Sequence, residues 1–349
     1  MPDTPAPDQP HAGAENAAAP TGGSRRRWRR SLVVVAAVLV VALAAGAFYA
    51  WRIDRSLTSN LTRGIDLPGD GPSGQPRPSQ PAEKGPLNYV LLGTDSPDPE
   101  NQDPGNENRG RSDSIMVVHL NTDRDKAYVI SFPRDMYVDI PGHGKDKINA
   151  AYSLGGPALT VRTLEELTDV RMDHVALIGL EGFIGLTEDL GGVTVTNKTA
   201  FRSHGFDYPK GRITISGEEA LWFVRERKSL PEGDLDRARN QRNVIQAIVA
   251  KGLSADVVSD PARFTAFVGN LSRHLTVDNS LTDNEIRQTA LSLRLQADDI
   301  ELLQAPLSGF GTAPDGQSID VVDTAKLAEL SDALADDTMD AYLQKYPKG

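Results

Sequence analysis

The stretch Ser114–Asp135, SIMVVHLNTDRDKAYVISFPRD, decides the fold class. Two apolar runs rich in β-formers, Ser114–Leu120 and Lys126–Phe132, flank the polar turn Asn121–Asp125, and this pattern is typical of an antiparallel hairpin. Upstream, Asn88–Leu92 (NYVLL) predicts a short buried strand. Further strands are expected at His174–Gly179, Val193–Thr196, Ile300–Leu303 and Ser318–Val322. The chain therefore contains a sheet with at least some antiparallel pairing.

Helical patterns fill the gaps between these strands. They cover Leu159–Leu167, Glu181–Leu190, a run from Ser216 through Arg227, a run from Asp234 past Ile248, a run from Thr282 to about Leu293, and Asp323–Leu334. Ser216 and Thr282 each stand three residues before a Glu, the spacing of a capping box. Asp234 and Asp323 are expected as helix N-caps. The alternation of both element types predicts an α/β domain.

The N-terminal region predicts a membrane anchor. Ser31–Trp51 is an uncharged apolar run long enough to span a bilayer as a helix, and five Arg residues between 25 and 30 precede it. We expect residues 1–30 to be a disordered basic cytoplasmic tail, 31–51 a single transmembrane helix, 52–87 a Pro/Gly-rich linker and 88–349 an extracytoplasmic domain at the cell membrane. The alternative is a cleaved signal peptide, since Ala42-Leu43-Ala44 could suit a signal peptidase.

Composition excludes several classes of function. The chain has 37 basic and 48 acidic residues, a net charge of −11, which argues against a nucleic-acid partner. It has no cysteine, so disulfides, thiolate metal sites and a cysteine nucleophile are excluded. Gly-x-Ser-x-Gly, His-Glu-x-x-His and Walker A signatures are also missing from the sequence.

Asp and Arg residues instead concentrate at the ends of predicted strands. Asp95 follows the first strand, and Arg111 and Asp113 precede the next. If these strands pair, the two carboxylates could hold a hard divalent cation such as Mg²⁺. The alternative is that Asp95 caps a turn and Asp113 pairs with Arg111. Pro133-Arg134-Asp135 follows the hairpin in the same way and taken alone could be a surface turn.

The helix that starts near Asp234 carries polar residues on its apolar stripe. Counting back from Val244 by helical spacing places Gln241 and Arg237 on that face. Such groups must meet compensating charge or a wet cavity when buried, and the helix N-terminus favours an anion. The alternative is an Asp234–Arg237 salt bridge on a solvated first turn. Together the clusters predict recognition of a phosphate or diphosphate with a divalent ion.

These motifs, in this order, resemble the LytR–CpsA–Psr family of cell-wall proteins. The residues that carry the resemblance are GTD at 93–95, RSDS at 111–114, SFPRD at 131–135, KINAAY at 147–152, ALWFVRER at 220–227, GDLDR at 233–237 and Gln241. They cover about Asn88–Ser254. The resemblance implies a single α/β domain whose central mixed, largely antiparallel sheet is flanked by helices, with an apolar channel for a lipid.

The resemblance also implies an activity and roles for residues. It implies a transferase that moves a glycopolymer from a polyprenyl-pyrophosphate carrier onto a peptidoglycan hydroxyl and releases polyprenyl phosphate. The carried-over roles are Mg²⁺ binding by Asp95 and Asp113, pyrophosphate binding by Arg111, Arg134, Arg225, Arg227 and Lys147, completion of the pocket by Arg237 and Gln241, and orientation of Arg residues or activation of the acceptor by Asp234. Rival functions are a pyrophosphohydrolase and a non-catalytic lipid-carrier-binding regulator.

Three positions depart from the family pattern: Glu226, Asn240 and Arg242. They put acceptor or polymer preference in doubt. The sequence leaves open which glycopolymer is moved, which group is the general base, the oligomeric state, and what residues 255–349 add.

Overall fold

The computed structural model describes residues 61–69, 76–79, 85–95, 110–252, 254–258 and 260–347. The predicted tail and transmembrane helix, residues 1–30 and 31–51, lie outside the described residues. Within the described ranges, every helix is too short or too polar to span a bilayer.

Strands and helices follow one another in groups along the chain, and within the described residues six strands precede the first helix. In chain order the strands are β1 (Thr62–Ile65), β2 (Leu87–Thr94), β3 (Ser112–Leu120), β4 (Ala127–Phe132), β5 (Tyr137–Ile140), β6 (Gly144–Lys147), β7 (His174–Gly179), β8 (Val193–Asn197), β9 (Phe201–Ser203), β10 (Phe206–Tyr208), β11 (Gly211–Ile215), β12 (Thr276–Asp278), β13 (Ile300–Gln304), β14 (Leu307–Thr312) and β15 (Ser318–Val322). The helices are α1 (Ala150–Thr168), α2 (Leu180–Asp189), α3 (Gly217–Arg225), α4 (Asp234–Gly252), α5 (Ala255–Val258), α6 (Pro261–Arg273), α7 (Asp283–Ser292), α8 (Thr324–Ala335) and α9 (Met339–Lys345).

The main sheet has the order β1-β12-β7-β2-β3-β4-β13. Its antiparallel neighbours are β12–β7, β2–β3 and β3–β4, and its parallel neighbours are β1–β12, β2–β7 and β13–β4. The mixed α/β architecture is confirmed. The expectation of a largely antiparallel sheet is wrong, because three of its six neighbouring strand pairs are parallel and join strands far apart in the sequence.

The β3–β4 hairpin forms as its sequence predicts. The Asn121 side-chain oxygen accepts the backbone N–H groups of Asp125 (3.1 Å) and Lys126 (3.0 Å), which closes the turn. All six residues of β4 are buried. Pro133 cannot continue the ladder, so the strand ends there and delivers Arg134 and Asp135 to the edge of the sheet.

The helix boundaries agree with the local signals only in part. Thr282 forms the expected capping box with Glu285, and Asp323 caps α8 by accepting the Lys326 N–H. The capping box expected at Ser216 is wrong, because its hydroxyl donates to the Thr187 carbonyl instead. Asp234 is the first residue of α4 and not its N-cap.

Helix α1 is longer than predicted. It begins at Ala150 and not at Leu159, since it continues through a kink at Gly156 (φ 67°) and Pro157. Glycine is suited to that left-handed backbone conformation, which is strained for other residues.

The expected linker over residues 52–87 needs a correction. Residues 62–65 are strand β1 of the sheet, with Ile65 only 1% exposed. Arg77 binds Glu165 of α1 at 2.7 Å between Nη2 and Oε1. A Pro/Gly-rich composition predicts a free coil. Residues 62–65 are instead hydrogen-bonded to β12, and Arg77 is held by its buried ion pair with Glu165.

Three apolar clusters build the interior of the described chain. The first lies between the sheet and helices α1, α8 and α9, and it includes Val90, Ile130 and Leu164. The second joins α2, α3 and α4 with β8 and β11 and includes Phe223 and Val244. The third is smaller and lies on β3, β4 and β13. The second cluster fixes α3 and α4 so that the loop between them and the head of α4 stand beside the ends of β3 and β4.

Candidate active site

The first part of the site lies where β2 and β3 meet. Thr94 and Ser112 are paired in register, so Asp95 and Asp113 come from neighbouring strand ends. The Asp95 carboxylate accepts the Arg111 backbone N–H at 2.8 Å, as the turn-capping alternative predicted. The Asp113 carboxylate accepts a hydrogen bond from Arg134 at 2.7 Å, so Arg111 is not its partner. The Arg111 residue is exposed at the rim.

Arg134, delivered by the end of β4, stands among three carboxylates. Its Nε lies 3.5 Å from Asp135 and 3.6 Å from Asp234, in addition to the bond with Asp113. Burial lowers the pKa of Arg134, but the adjacent Asp234 and Asp113 carboxylates outweigh it and raise the pKa above its ordinary value. Lys147, from β6, pairs with Asp135 at 2.9 Å. Arg134 and Lys147 are therefore brought together as the sequence predicted.

The head of α4 adds the second buried guanidinium. Arg237 donates to the Asp234 carboxylate at 2.8 Å and is 5% exposed. The salt bridge of the alternative is present, but its guanidinium is buried and only the Asp234 carboxylate is partly exposed. Burial lowers the pKa of Arg237, although Asp234 opposes the shift. Gln241, one turn on, donates to the Val224 carbonyl at 3.3 Å and so ties α4 to α3.

These side chains form one charge network. Its members are Asp113, Arg134, Asp135, Lys147, Asp234 and Arg237. Three buried polar atoms in it, Arg134 Nε, Arg237 Nε and Asp234 Oδ1, have no hydrogen-bond partner within the described part of the chain. Buried polar atoms are nearly always satisfied, so several orphans in one place indicate room for a ligand. The two Nε–H donors suit an anion with several oxygens.

The remaining predicted arginines lie further out. Arg227 is half-exposed, with Nη1 3.9 Å from Asp234 Oδ1. Arg225 lies over the Trp222 ring, 5.6 Å from its centroid, and no ion pair among the described residues joins it to the charge network. The structure therefore places Arg227 beside the network and Arg225 against an aromatic ring.

The three residues that depart from the family pattern are Glu226, Asn240 and Arg242, and all three lie near the candidate site. The Glu226 carboxylate accepts the Arg227 and Ser229 N–H groups and so shapes the loop that presents Arg227. Burial raises the pKa of Glu226, but hydrogen bonds from the Ser203 hydroxyl and the loop amides outweigh it and lower the pKa. Arg242 donates to the Ser131 hydroxyl at the end of β4, and burial lowers its pKa to about 10. Asn240 is buried on α4, with its amide nitrogen unpaired within the described ranges.

One residue of the site was missed from the sequence. Asp320, in β15, is 6% exposed, and its backbone N–H donates to the Asp135 carbonyl at 2.9 Å. Burial, followed by the Asp135 and Asp234 charges, raises its pKa to about 6. The only local signal was an acid inside the apolar run Ser318–Val322, which sequence reasoning took for an ordinary strand.

The donor set at the β2–β3 edge is compatible with Mg²⁺. Asp95 and Asp113 each use Oδ1 for a hydrogen bond, which leaves the Oδ2 atoms as hard ligands. In the described ranges, no group of three or more acidic, His or Cys residues could hold a metal ion. Two carboxylates fit Mg²⁺ because this ion keeps several waters and shares its shell with phosphate oxygens.

Comparison with known proteins identifies the family of this chain. The model of the LytR_cpsA_psr family matches residues 68–336. A protein of Bacillus mycoides (strain KBAB4), named polyisoprenyl-teichoic acid–peptidoglycan teichoic acid transferase TagU, is 34% identical over 241 residues, which are 68% of this chain and 77% of that protein. The TagU of Enterococcus faecalis (strain ATCC 700802 / V583) is 35% identical over 253 residues, which are 72% of this chain and 79% of that protein.

Solved structures show the same fold. The crystal structure of B. subtilis TagT is 28% identical and has a TM-score of 0.57, with 79% of this chain and 100% of that chain covered. TagT bound to LIIa-WTA is 29% identical and has a TM-score of 0.59, with 79% and 99% covered. The family match extends over most of the chain and includes every member of the charge network, and the chain therefore belongs to the LytR_cpsA_psr family.

Proposed function

We propose that this chain transfers a glycopolymer from a polyprenyl-pyrophosphate carrier to a sugar hydroxyl of peptidoglycan and releases polyprenyl phosphate. Family membership and the teichoic acid transferase name of the TagU relatives support this reaction. The observation that carries it is the pair of guanidiniums of Arg134 and Arg237, whose buried Nε–H groups have no hydrogen-bond partner within the described part of the chain.

The chain's own residues supply positioning and charge. Arg134 and Arg237 bind pyrophosphate oxygens through their planar forks, while Asp113 and Asp234 hold those forks in place. The N-terminus of α4 adds its positive dipole end. Phosphoryl transfer depends mainly on orientation and neutralisation of charge, so a Ser, His or Cys nucleophile is not needed. Lys147 and Arg227 extend the positive lining toward the leaving polyprenyl phosphate.

Magnesium belongs to this proposal. Asp95 and Asp113 would hold the ion, which would neutralise charge on the phosphate oxygens when bound. The donor chemistry of the two Oδ2 atoms supports this assignment.

The proposal also includes a location. Residues 31–51 would span the cell membrane once, with the N-terminus cytoplasmic and the domain outside. The apolar run and the arginines before it support this topology. A lipid-linked donor and a wall acceptor would both be reachable from such a position.

The test uses the full chain in phospholipid vesicles with a polyprenyl-pyrophosphate-linked disaccharide, soluble peptidoglycan strands and Mg²⁺. Polyprenyl phosphate release and sugar linkage are followed together. We expect the wild-type chain to link the sugar to peptidoglycan. Arg237→Gln should lower the rate of linkage about 10²–10³-fold, because a buried donor to the charge that develops on the phosphate is removed. Arg263→Gln is the matched control, since Arg263 is an exposed arginine of α6.

Two results would contradict the transferase. Release without linkage, using acceptors of several lengths, would instead identify a pyrophosphohydrolase. Donor binding without release would identify a lipid-carrier-binding protein.

A further inference from the structure

The β14–β15 hairpin contributes a carboxyl group to the site. Met136 and Asp320 form a parallel bridge, and the Asp320 N–H donates to the Asp135 carbonyl at 2.9 Å. The charged groups that act on the Asp320 carboxyl come from three other elements: Arg134 and Asp135 after β4, Lys147 in β6, and Asp234 in α4. The Asp320 carboxyl group therefore lies beside the charge network.

The other carboxylates of the network are already committed to cations. Asp113 binds Arg134 at 2.7 Å, Asp135 binds Lys147 at 2.9 Å, and Asp234 binds Arg237 at 2.8 Å. Each of these three carboxylates therefore has an oxygen occupied by a cation, and the three groups serve to hold the cations in place.

Asp320 differs from them in its bonding. Its side chain makes no hydrogen bond or salt bridge with the rest of the described chain, and its Oδ2 is buried without a partner. Asp320 is therefore the one carboxyl group at the network, within the described ranges, with neither oxygen in a hydrogen bond or salt bridge.

The ionisation of Asp320 agrees with this bonding. Burial and the Asp135 and Asp234 charges raise its pKa to about 6. A general base works best when its pKa lies near the working pH, because it is then both ionised and basic enough to draw off a proton. Asp320 is mostly ionised at pH 7 and meets both conditions.

The strand beside Asp320 carries an exposed aromatic side chain. Phe310 pairs with Asp320 across the hairpin and is 70% exposed. Phe310 thus offers an exposed aromatic surface next to the strand of Asp320, where a sugar of a large polymer can be presented.

We propose that Asp320 is the catalytic base that takes the proton from the attacking hydroxyl, an inference that rests on the proposed function. The hydroxyl oxygen bonds to the phosphorus nearest the glycan while its proton passes to the Asp320 carboxylate. The bond from that phosphorus to the bridging oxygen breaks, and polyprenyl phosphate leaves with the bridging oxygen and the electron pair. A phosphodiester joins glycan and peptidoglycan, and Asp320 then returns the proton to water.

The experiment measures linkage by the full chain in vesicles between pH 5 and 9, with the disaccharide donor and peptidoglycan strands. Wild type should lose kcat as the pH falls below about 6, where Asp320 takes up a proton. Asp320→Asn should lower kcat about 10²–10⁴-fold and leave the donor KM unchanged. It should also abolish the fall of kcat below about pH 6, the acidic limb of the pH profile. Asp320→Glu should keep the limb and part of the rate, and Asp315→Asn, on the turn of the same hairpin, should behave as wild type.

Three outcomes would overturn the assignment. One is an Asp320→Asn enzyme that keeps the acidic limb and more than a tenth of kcat. Another is a raised donor KM at unchanged kcat, which would make Asp320 a positioning residue. Wild type without any linkage would overturn the proposed function itself, and the assignment of Asp320 with it.

Discussion

The buried pair Arg77–Glu165 allows a sharp test of how residues before β2 are attached to the domain. Glu165 is fully buried in α1, and its carboxylate accepts Arg77 Nη2 at 2.7 Å, Arg77 Nε at 3.0 Å and the Met172 N–H at 3.0 Å. Arg77 also donates to the Met172 carbonyl at 2.7 Å. Replacement of Arg77 by Ala would leave the Glu165 carboxylate buried with the Met172 N–H as its donor.

The expected loss is large for a single substitution. Removing one partner of a buried ion pair costs about 3–5 kcal/mol, because the other charge stays uncompensated. The free energy of unfolding of a domain is about 5–15 kcal/mol in total. At about 2–4 °C per kcal/mol in a domain of this size, Arg77→Ala should lower Tm by about 6–20 °C.

Urea unfolding at pH 7, followed by circular dichroism, measures this loss. The matched control is Arg63→Ala, because the Arg63–Asp283 pair is solvent-exposed and should contribute at most about 1 kcal/mol. The double variant Arg77→Met with Glu165→Leu should recover most of the loss, since an apolar pair replaces the ion pair. A loss below 1 kcal/mol in Arg77→Ala, equal to that of the control, would refute the attachment of this segment.

Three further variants test the site and the caps. The folded-state pKa of Asp320 is about 6, above the ordinary value near 4, so ionisation of Asp320 lowers the stability of the fold as the pH rises from about 4 to about 6. Asp320→Asn should therefore stabilise the fold by about 2–3 kcal/mol more at pH 8 than at pH 4. Equal shifts of the urea midpoint at both pH values would contradict this. Thr282→Ala should cost about 1 kcal/mol, since the Thr282 hydroxyl accepts the Glu285 N–H, while Thr282→Ser should not, and thermal melts distinguish them. Arg134→Lys should lower kcat at least about tenfold in the linkage assay, because a point charge cannot replace a planar fork between Asp113 and Asp234; wild-type kcat would exclude a fork-specific role.

Local patterns were enough for the elements that depend on local forces. The β3–β4 hairpin, β7 and β15, and the caps at Thr282 and Asp323 follow from alternation, turn chemistry and capping. Ser216 has the same capping spacing but fails, because the Thr187 carbonyl lies near enough to compete for its hydroxyl. Tertiary contacts of that kind have no trace in the nearby sequence.

The features that could not be predicted depend on contacts between residues far apart in the sequence. Strand β1 has only four residues within a Pro/Gly-rich region and becomes a strand because β12, more than two hundred residues later, pairs with it. For the site, the motifs placed Arg134, Lys147, Asp234 and Arg237 in one predicted pocket, and in the structure these side chains lie in one network of ion pairs. Asp320 could not be assigned, because its surroundings arise only when the hairpin packs on the chain after β4.

The hairpin position of Asp320 has a consequence for biosynthesis. Chains are made from the N-terminus, and domains begin to fold as they emerge. Arg134 and Lys147 are made first, Asp234 follows Arg134 by about a hundred residues, and Asp320 follows Asp234 by more than eighty. A nascent chain from which β15 has not yet emerged carries the arginines but lacks the proposed base, so the catalytic machinery would become complete only when β15 pairs with β14.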